Sequence, residues 1–304
     1  MSKYLITGGE GFIGANLARK LLELGHEVVS LDNHAGGVLA GRKFDGVKYL
    51  FGDIRKKEDL TKACDGVKGI FHLAALPRVI FSVENPEVTH DVNVNGTFNV
   101  LMVARELKNI RVVFATSSAA YGDQEVYPLK EDTVIKKPVS PYGFHKLIGE
   151  EYCRIFSLIY KLETVSLCFF NVYGPLFDPN GAYALVIGKF LKQRKAGEPM
   201  TVRGDGEMFR DYTHVFDVVN ALIAAMEKNT VGNGEVINIG FGHPHSVNEL
   251  VKMIGGDFVR VPELPGEMKY TEADNSKARK LLDWRPMIDL EEGIRMLKEE
   301  AGIN

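Results

Sequence analysis

Cysteine is scarce in this chain. Three cysteines, Cys64, Cys153 and Cys168, stand far apart, and no two form a C-x-x-C pair. An odd count without close pairs predicts neither a disulfide framework nor a zinc site, but free buried thiols in a reducing compartment. No basic segment followed by a long apolar stretch opens the sequence, so no signal peptide is expected. No apolar run approaches the roughly 18 residues of a membrane span. Long runs of one charge sign are missing, and the net charge is only −3. That excludes an electrostatic footprint for nucleic acid or anionic lipid. Internal repeats and low-complexity segments are also absent. What remains is 304 residues, 45% hydrophobic and 25% charged. Such a composition fits a soluble cytoplasmic protein with one large domain or up to two.

The apolar residues fall into short runs separated by amphipathic stretches. "KYLITGG", "EVVSLDN", "VKYLFGDI", "GIFHLAAL", "IRVVFATSSAAYG" and "ETVSLCFFNVYG" read as strands. Between the first two, Ile13, Leu17, Leu21 and Leu24 make a helical stripe closed by Gly25. "NVNGTFNVLMVARELK" and residues 142–160 read as helices. Buried strands alternating with helices predict an α/β fold, a doubly wound Rossmann sheet with a smaller C-terminal α/β substrate domain. After Gly174 the chain turns richer in Gly, Pro and charge. The expected division is a dinucleotide-binding domain over 1–170, with 211–242 returning to it, and a second domain from 171–210 and 243–304. Ser246 and Glu249 form a capping-box pattern that opens a late helix.

"TGGEGFIG" spaces Gly8, Gly11 and Gly14 three residues apart, between the first strand and the first helix. Glycines let backbone approach a pyrophosphate, and the helix N-terminus offers unpaired N–H groups to it. Asp32 ends the second strand, 18 residues after Gly14, where a carboxylate can accept from ribose hydroxyls. No arginine occurs in the next nine residues, so NAD is expected over NADP. Asp53 is placed to face the adenine.

Tyr142 and Lys146, four residues apart, share a helical face. A tyrosine's ordinary pKa is about 10. A nearby ammonium favours the phenolate and brings it toward the range of an acid/base catalyst. Ser117 sits at the C-terminal end of a predicted parallel strand, the edge where open α/β sheets bind ligands. On a solvated helix a Tyr-x-x-x-Lys pair means little. Behind a dinucleotide turn and beside a strand-end serine, it reads as an acid/base centre.

"TGGEGFIG", "HLAA" (72–75), "NVNGT" (93–97), "TSSAAYG" (116–122), "SPYGFHK" (140–146), "FFNVYGP" (169–175) and "RDYTHVFDV" (210–218) occur in the order seen in extended short-chain dehydrogenases/reductases. Over essentially its whole length, the chain resembles the nucleotide-sugar 4-epimerases of that family, of the UDP-galactose/UDP-N-acetylhexosamine type. The resemblance implies that Tyr142 takes the proton of the sugar 4-hydroxyl while NAD accepts hydride from C4, with Ser117 and Lys146 assisting. It also implies cofactor contacts at Gly8, Gly11, Phe12, Ile13, Gly14, Asp32, Asn33, Asp53, Ile54, Leu73, Ala74, Ala75, Tyr142, Lys146 and Phe169. Substrate contacts are implied at Ser117, Ser118, Tyr142, Asn171, Val186, Arg210 and Thr271. No metal is expected. The family pairs helices at 86–107 and 142–160 into a homodimer, although those faces could equally be covered within one chain.

Related dehydratases and decarboxylases carry an acid just after the serine motif, where this chain has Ala119 and Ala120. A net-redox reductase or dehydrogenase is the alternative on the same fold. A non-catalytic NAD-binding regulator would be expected to lack the Tyr or the Lys. Two departures stand out: Cys168 and Leu264 occupy positions where relatives carry arginines, the latter a pyrophosphate clamp that Arg260 or Lys269 would have to replace. Thr271 corresponds to a position that gates the sugar pocket, and its small size predicts acceptance of N-acetylhexosamines. The opposing reading places Thr271 in solvent. His72 is expected to be a packed core histidine near the cofactor, and His243 with His245 an unconvincing metal site.

Overall fold

The computed structural model describes residues 1–37, 39–177, 186–262 and 269–303. Among them, a central sheet takes its strands from β1 (Lys3–Thr7), β2 (Glu27–Asp32), β3 (Val47–Phe51), β4 (Gly69–His72), β5 (Arg111–Ser117), β6 (Glu163–Phe169) and, after several short strands, residues Asn233–Ile239. Those short strands are β7 (Val172–Tyr173), β8 (Met200–Arg203), β9 (Phe209–Arg210) and β10 (Thr213–His214). The late sheet strand is therefore β11, and β12 (His245–Ser246) and β13 (Phe258–Val261) follow. The order is β11-β6-β5-β4-β1-β2-β3, with every pairing parallel. The strand order reverses between β1 and β4, the crevice where such sheets bind nucleotides.

Helices cover both faces, as right-handed parallel crossovers require. The helices are α1 (Phe12–Glu23), α2 (Lys57–Ala63), α3 (Val79–Glu84), α4 (Pro86–His90), α5 (Thr97–Glu106), α6 (Pro141–Tyr160), α7 (Val186–Lys195), α8 (Val215–Glu227), α9 (Val247–Ile254), α10 (Ser276–Leu282) and α11 (Leu290–Ala301). One face packs α1 and α8 on the sheet through Leu17, Leu21, Val218 and Leu222, with Trp284 at its edge. The other packs α2, α5 and α6 through Leu60, Leu101, Cys153 and Phe156. Burial of each such large side chain contributes about 2 kcal/mol.

The stripe expected on α1 is buried at Leu17 and Leu21, but Leu24 is half exposed. The helix ends at Glu23, and Leu24 is the cap residue ahead of the turn at Gly25. The helix expected from Asn93 begins as a π turn, Asp91–Gly96, before α5. There the Asn93 side chain both accepts from Leu76 N and donates to Leu76 O, which pins the turn to the segment after β4. The capping box of α9 is formed in both directions by Ser246 and Glu249. A third cluster, with Phe190, Met200, Leu250 and Ile294, forms the core of the smaller C-terminal region. All three thiols are free and buried.

Candidate active site

The dinucleotide turn is built by close approach across the reversal point. Gly8 has φ +72°, a left-handed conformation natural to glycine, and a Cβ there would lie 2.9 Å from Ala74 backbone atoms. Leu73, Ala74 and Ala75 follow β4 directly, with Ala74 N donating to Thr7 Oγ1. Gly11 is the N-cap of α1 and makes no side-chain cap, so the first N–H groups of α1, beginning at Phe12, Ile13 and Gly14, are open to an anion. Asp32 lies beside the turn: its Oδ2 accepts from Glu10 N at 3.1 Å and its Oδ1 from His34 N at 2.8 Å. The Asn33 amide donates to Asp53 at 3.1 Å. Arg55 pairs with Asp53 and holds its carboxyl down at about 2. Ile54, next to it, is buried. An open helix N-terminus, a glycine turn and a carboxylate at the end of β2 fit a dinucleotide: pyrophosphate at α1, adenosine ribose at Asp32.

Sequence reasoning passed over Glu10, which is almost fully buried within the glycine turn. Its carboxylate pairs with His34 at 2.9 Å and Lys43 at 2.8 Å, tying the loop after β2 to the turn. Arg42, from the same loop, donates through Nε to Leu176 O at 2.9 Å. Asn16 donates to Pro175 O at 3.0 Å, so the segment after β7 is laced onto α1. A charged residue between two fingerprint glycines is the sequence signal that points to Glu10.

The residues expected to do acid/base chemistry come from β5 and α6. Ser117 ends β5 opposite Phe169 at the end of β6, and its Oγ accepts from Ala119 N at 3.2 Å. Ser118, the next residue, is buried. Helix α6 starts at Pro141 with Ser140 as N-cap, whose hydroxyl accepts from Gly143 N. A Cβ on Gly143 would lie 2.3 Å from Ala119 O; glycine lets the first turn of α6 sit directly on the turn after β5. Tyr142 is 8% exposed, and its backbone N–H donates to Ser82 Oγ at 3.0 Å. Lys146 is buried with Nζ 5.9 Å from the Tyr142 ring centre and 4.9 Å from that of Phe114. Its Nζ donates to Ala115 O at 2.7 Å. Burial pulls its pKa down to about 8, while the Glu150 carboxylate acts the other way. His72 is buried between Thr7 and Thr97, bonded to both hydroxyls and stacked on Phe114. Burial drops its pKa to about 3, so it is a neutral structural group, as its apolar strand predicts.

Among the residues expected to meet the substrate, Asn171 donates through Nδ2 to Asp211 O at 3.0 Å and to Thr271 Oγ1 at 3.3 Å. Thr271 is buried and also accepts from Asp211 N, so it faces inward and not the solvent. Asp211, fully buried, accepts from the backbone N–H groups of Phe241, Gly242 and Ala273. Burial pushes its carboxyl up to about 6 even so. Arg210 is half-buried on β9, donating to Phe209 O. Val186 is the first residue of α7. Leu264 and residues 178–185 lie outside the described residues. Arg260 is engaged elsewhere, donating to Gly204 O and Asn248 Oδ1. His243 and His245 meet edge to face at 5.0 Å, and no metal-holding cluster of His, Cys, Asp or Glu occurs among the described residues. No helix among them is long and apolar enough to cross a membrane.

A family model described as NAD dependent epimerase/dehydratase matches residues 4–240. A putative UDP-glucose 4-epimerase of Methanocaldococcus jannaschii is 37% identical, over 96% of this chain and 95% of its own. A UDP-glucose 4-epimerase of Mycolicibacterium smegmatis is 37% identical over 95% of each. Among solved structures, UDP-glucose 4-epimerase of Thermotoga maritima with UDP-glucose is 33% identical, with a TM-score of 0.91 over 98% of this chain and 97% of that one. With an NAD-fitted glycine turn, a serine–tyrosine–lysine set at the sheet edge and these relatives, the chain belongs to the NAD dependent epimerase/dehydratase family.

Proposed function

We propose that the protein interconverts C4 epimers of a nucleotide sugar, UDP-glucose and UDP-galactose first, through a 4-keto intermediate. The observation that carries this reading is the placement of Tyr142 over buried Lys146, beside the strand end that bears Ser117, with Ala119 and Ala120 following. Alanines there leave no acid to expel a hydroxyl or assist loss of a carboxylate. When bound at the glycine turn, NAD supplies a reversible hydride acceptor for C4. Tyr142, as phenolate, takes the proton of the 4-hydroxyl and returns it. The Ser117 hydroxyl orients the same oxygen, and the Lys146 ammonium favours the phenolate. Asn171, Arg210, Val186, Ser118 and Thr271 are assigned to the sugar nucleotide, the arginine for its bidentate fit to phosphate.

The reading extends to N-acetylhexosamine nucleotides, because a buried threonine at 271 leaves more room than an aromatic ring would. Turnover of UDP-glucose with no conversion of UDP-N-acetylglucosamine would sink that extension. The division into 1–170 with 211–242, and 171–210 with 243–304, is our assignment of cofactor and sugar domains; β11 in the central sheet supports it. A cytoplasmic homodimer is also proposed: exposed Ile80 and Val83 on α3, Val88 on α4, and Phe144 and Leu158 on α6 form an apolar surface suited to a second copy. The primary test is a panel of UDP-, dTDP- and GDP-sugars followed by anomeric NMR signals. Tyr142→Phe should abolish conversion, a fall of at least about 100-fold, while leaving NAD bound. Near-full activity in that variant refutes the mechanism.

A further inference from the structure

A second lysine, its side chain largely covered, lies beneath the face of α6 that carries Tyr142. Tyr142, Lys146 and Glu150 follow at four-residue spacing and share that face. The Glu150 side chain is 2% exposed, and each of its oxygens has a partner. Oε1 accepts from Thr116 Oγ1 at 2.7 Å, and Oε2 is paired with Nζ of Lys136, whose side chain is 10% exposed. Thr116 stands in β5 between Ala115, whose carbonyl accepts from Lys146, and Ser117. The carboxylate is thus paired with Lys136, bonded to the strand that carries Ser117, and set one helical turn after Lys146 on the same face. Lys136 Nζ lies 4.7 Å from the centre of the Tyr121 ring, which seats it in place.

A carboxylate this buried and without a cation would take up a proton instead of carrying its charge. A neutral Glu150 would no longer favour the ammonium form of Lys146. We propose that Lys136 is a positioning residue for the reaction: it holds Glu150 ionised, and Glu150 in turn keeps Lys146 charged against its own burial, so that Tyr142 has a cation beside it. This rests on the assignment of Tyr142 and Lys146 made above.

Other titratable groups surround Lys146 and Glu150. Around Lys146 these are Tyr142, Cys153 on α6, His72 on β4, and His145 with its neighbour His90. Burial lowers His72 to about 3 and His145 to about 4, so both are neutral. Around Glu150 are Cys153, Cys168, Tyr121 and Lys136. Burial pushes Cys153 up to about 12 and raises Cys168 and Tyr121 as well, so all three stay protonated. Glu131, beyond Cys168, is raised by burial and accepts from Asn238 N.

The test is the pH profile of kcat for sugar-nucleotide interconversion by the NAD-loaded enzyme. Wild type is compared with Lys136→Met, Lys136→Arg and the double variant Lys136→Met/Glu150→Gln. The alkaline limb, where Lys146 gives up its proton, should move about one pH unit lower in Lys136→Met. It should return toward the wild-type position in Lys136→Arg. The double variant keeps the packing without an unpaired buried charge, so it decides the matter if Lys136→Met fails to fold; its limb should also move down. NAD retention and Tm are measured alongside. A limb that stays in place or moves up in the double variant, or in folded Lys136→Met, overturns the proposal. Tyr142→Phe belongs in the same series. If it keeps activity, the catalytic assignment falls. If it is inactive with NAD bound while the limb of the Lys136 variants stays in place, the role of Lys136 alone falls.

Discussion

On the cofactor side, Gly8, Asp32 and Leu73–Ala75 sit at the ends of β1, β2 and β4, three strands that neighbour one another in the sheet. On the side we assign to the sugar, Asn171, Asp211 and Thr271 arrive from segments 40, 60 and 100 residues apart, and their mutual bonds run through one residue, Asp211, and one hydroxyl, Thr271. The first is a set of strand ends whose positions the sheet register determines. The second is a polar network in which each member depends on the others, and such networks lose more than one bond when a member is removed. Damage on the cofactor side should therefore appear first as weaker NAD binding. Damage on the sugar side should appear as lost stability and a raised KM.

The largest effect should come from Asp211→Ala. It leaves the buried N–H of Ala273 and the partly buried N–H groups of Phe241 and Gly242 without their acceptor, at a cost of roughly 3 kcal/mol. Thermal unfolding should show a clear fall in Tm; an unchanged Tm would mean the sugar side is not organised by this carboxylate. Gly8→Ala comes next. The left-handed backbone and the approach to Ala74 predict a loss of about 1–2 kcal/mol, centred on the turn. Calorimetric titration should show NAD affinity down at least about tenfold with kcat at saturating NAD less affected. Thr271→Val should be smallest: it removes the acceptor used by Asn171 Nδ2 and Asp211 N, about 1 kcal/mol. Its KM for the sugar nucleotide should rise a few-fold while NAD affinity holds. If Gly8→Ala raised KM for the sugar and left NAD binding intact, the contrast between the two sides would be broken.

The parts legible in the sequence are those in which function follows local spacing. A glycine triplet between strand and helix and a Tyr-x-x-x-Lys behind a proline carry their geometry with them, because strand, turn and helix periods are local. Glu150 continues the same four-residue period and was open to the same reading. Asp211 was quoted within "RDYTHVFDV", yet its task depends on N–H groups at 241, 242 and 273 that no spacing announces. Ser82, which accepts from Tyr142 N, sits 60 residues away in a short helix. Lys136 reads as one of two adjacent solvated lysines in "VIKKPVS"; only packing against Tyr121 and Glu150 buries it.

By itself, the sequence determined the parallel sheet and the glycine turn and put Tyr142 and Lys146 on one helical face, because hydrophobic period and backbone freedom act over a few residues. Tertiary structure decided which charges meet. It set Glu10 between His34 and Lys43, Glu150 against Lys136, and Asp211 among the N–H groups of Phe241, Gly242 and Ala273. Coulomb and hydrogen-bond energies depend on distance and burial. For groups far apart in the chain, both quantities exist only once the chain is folded.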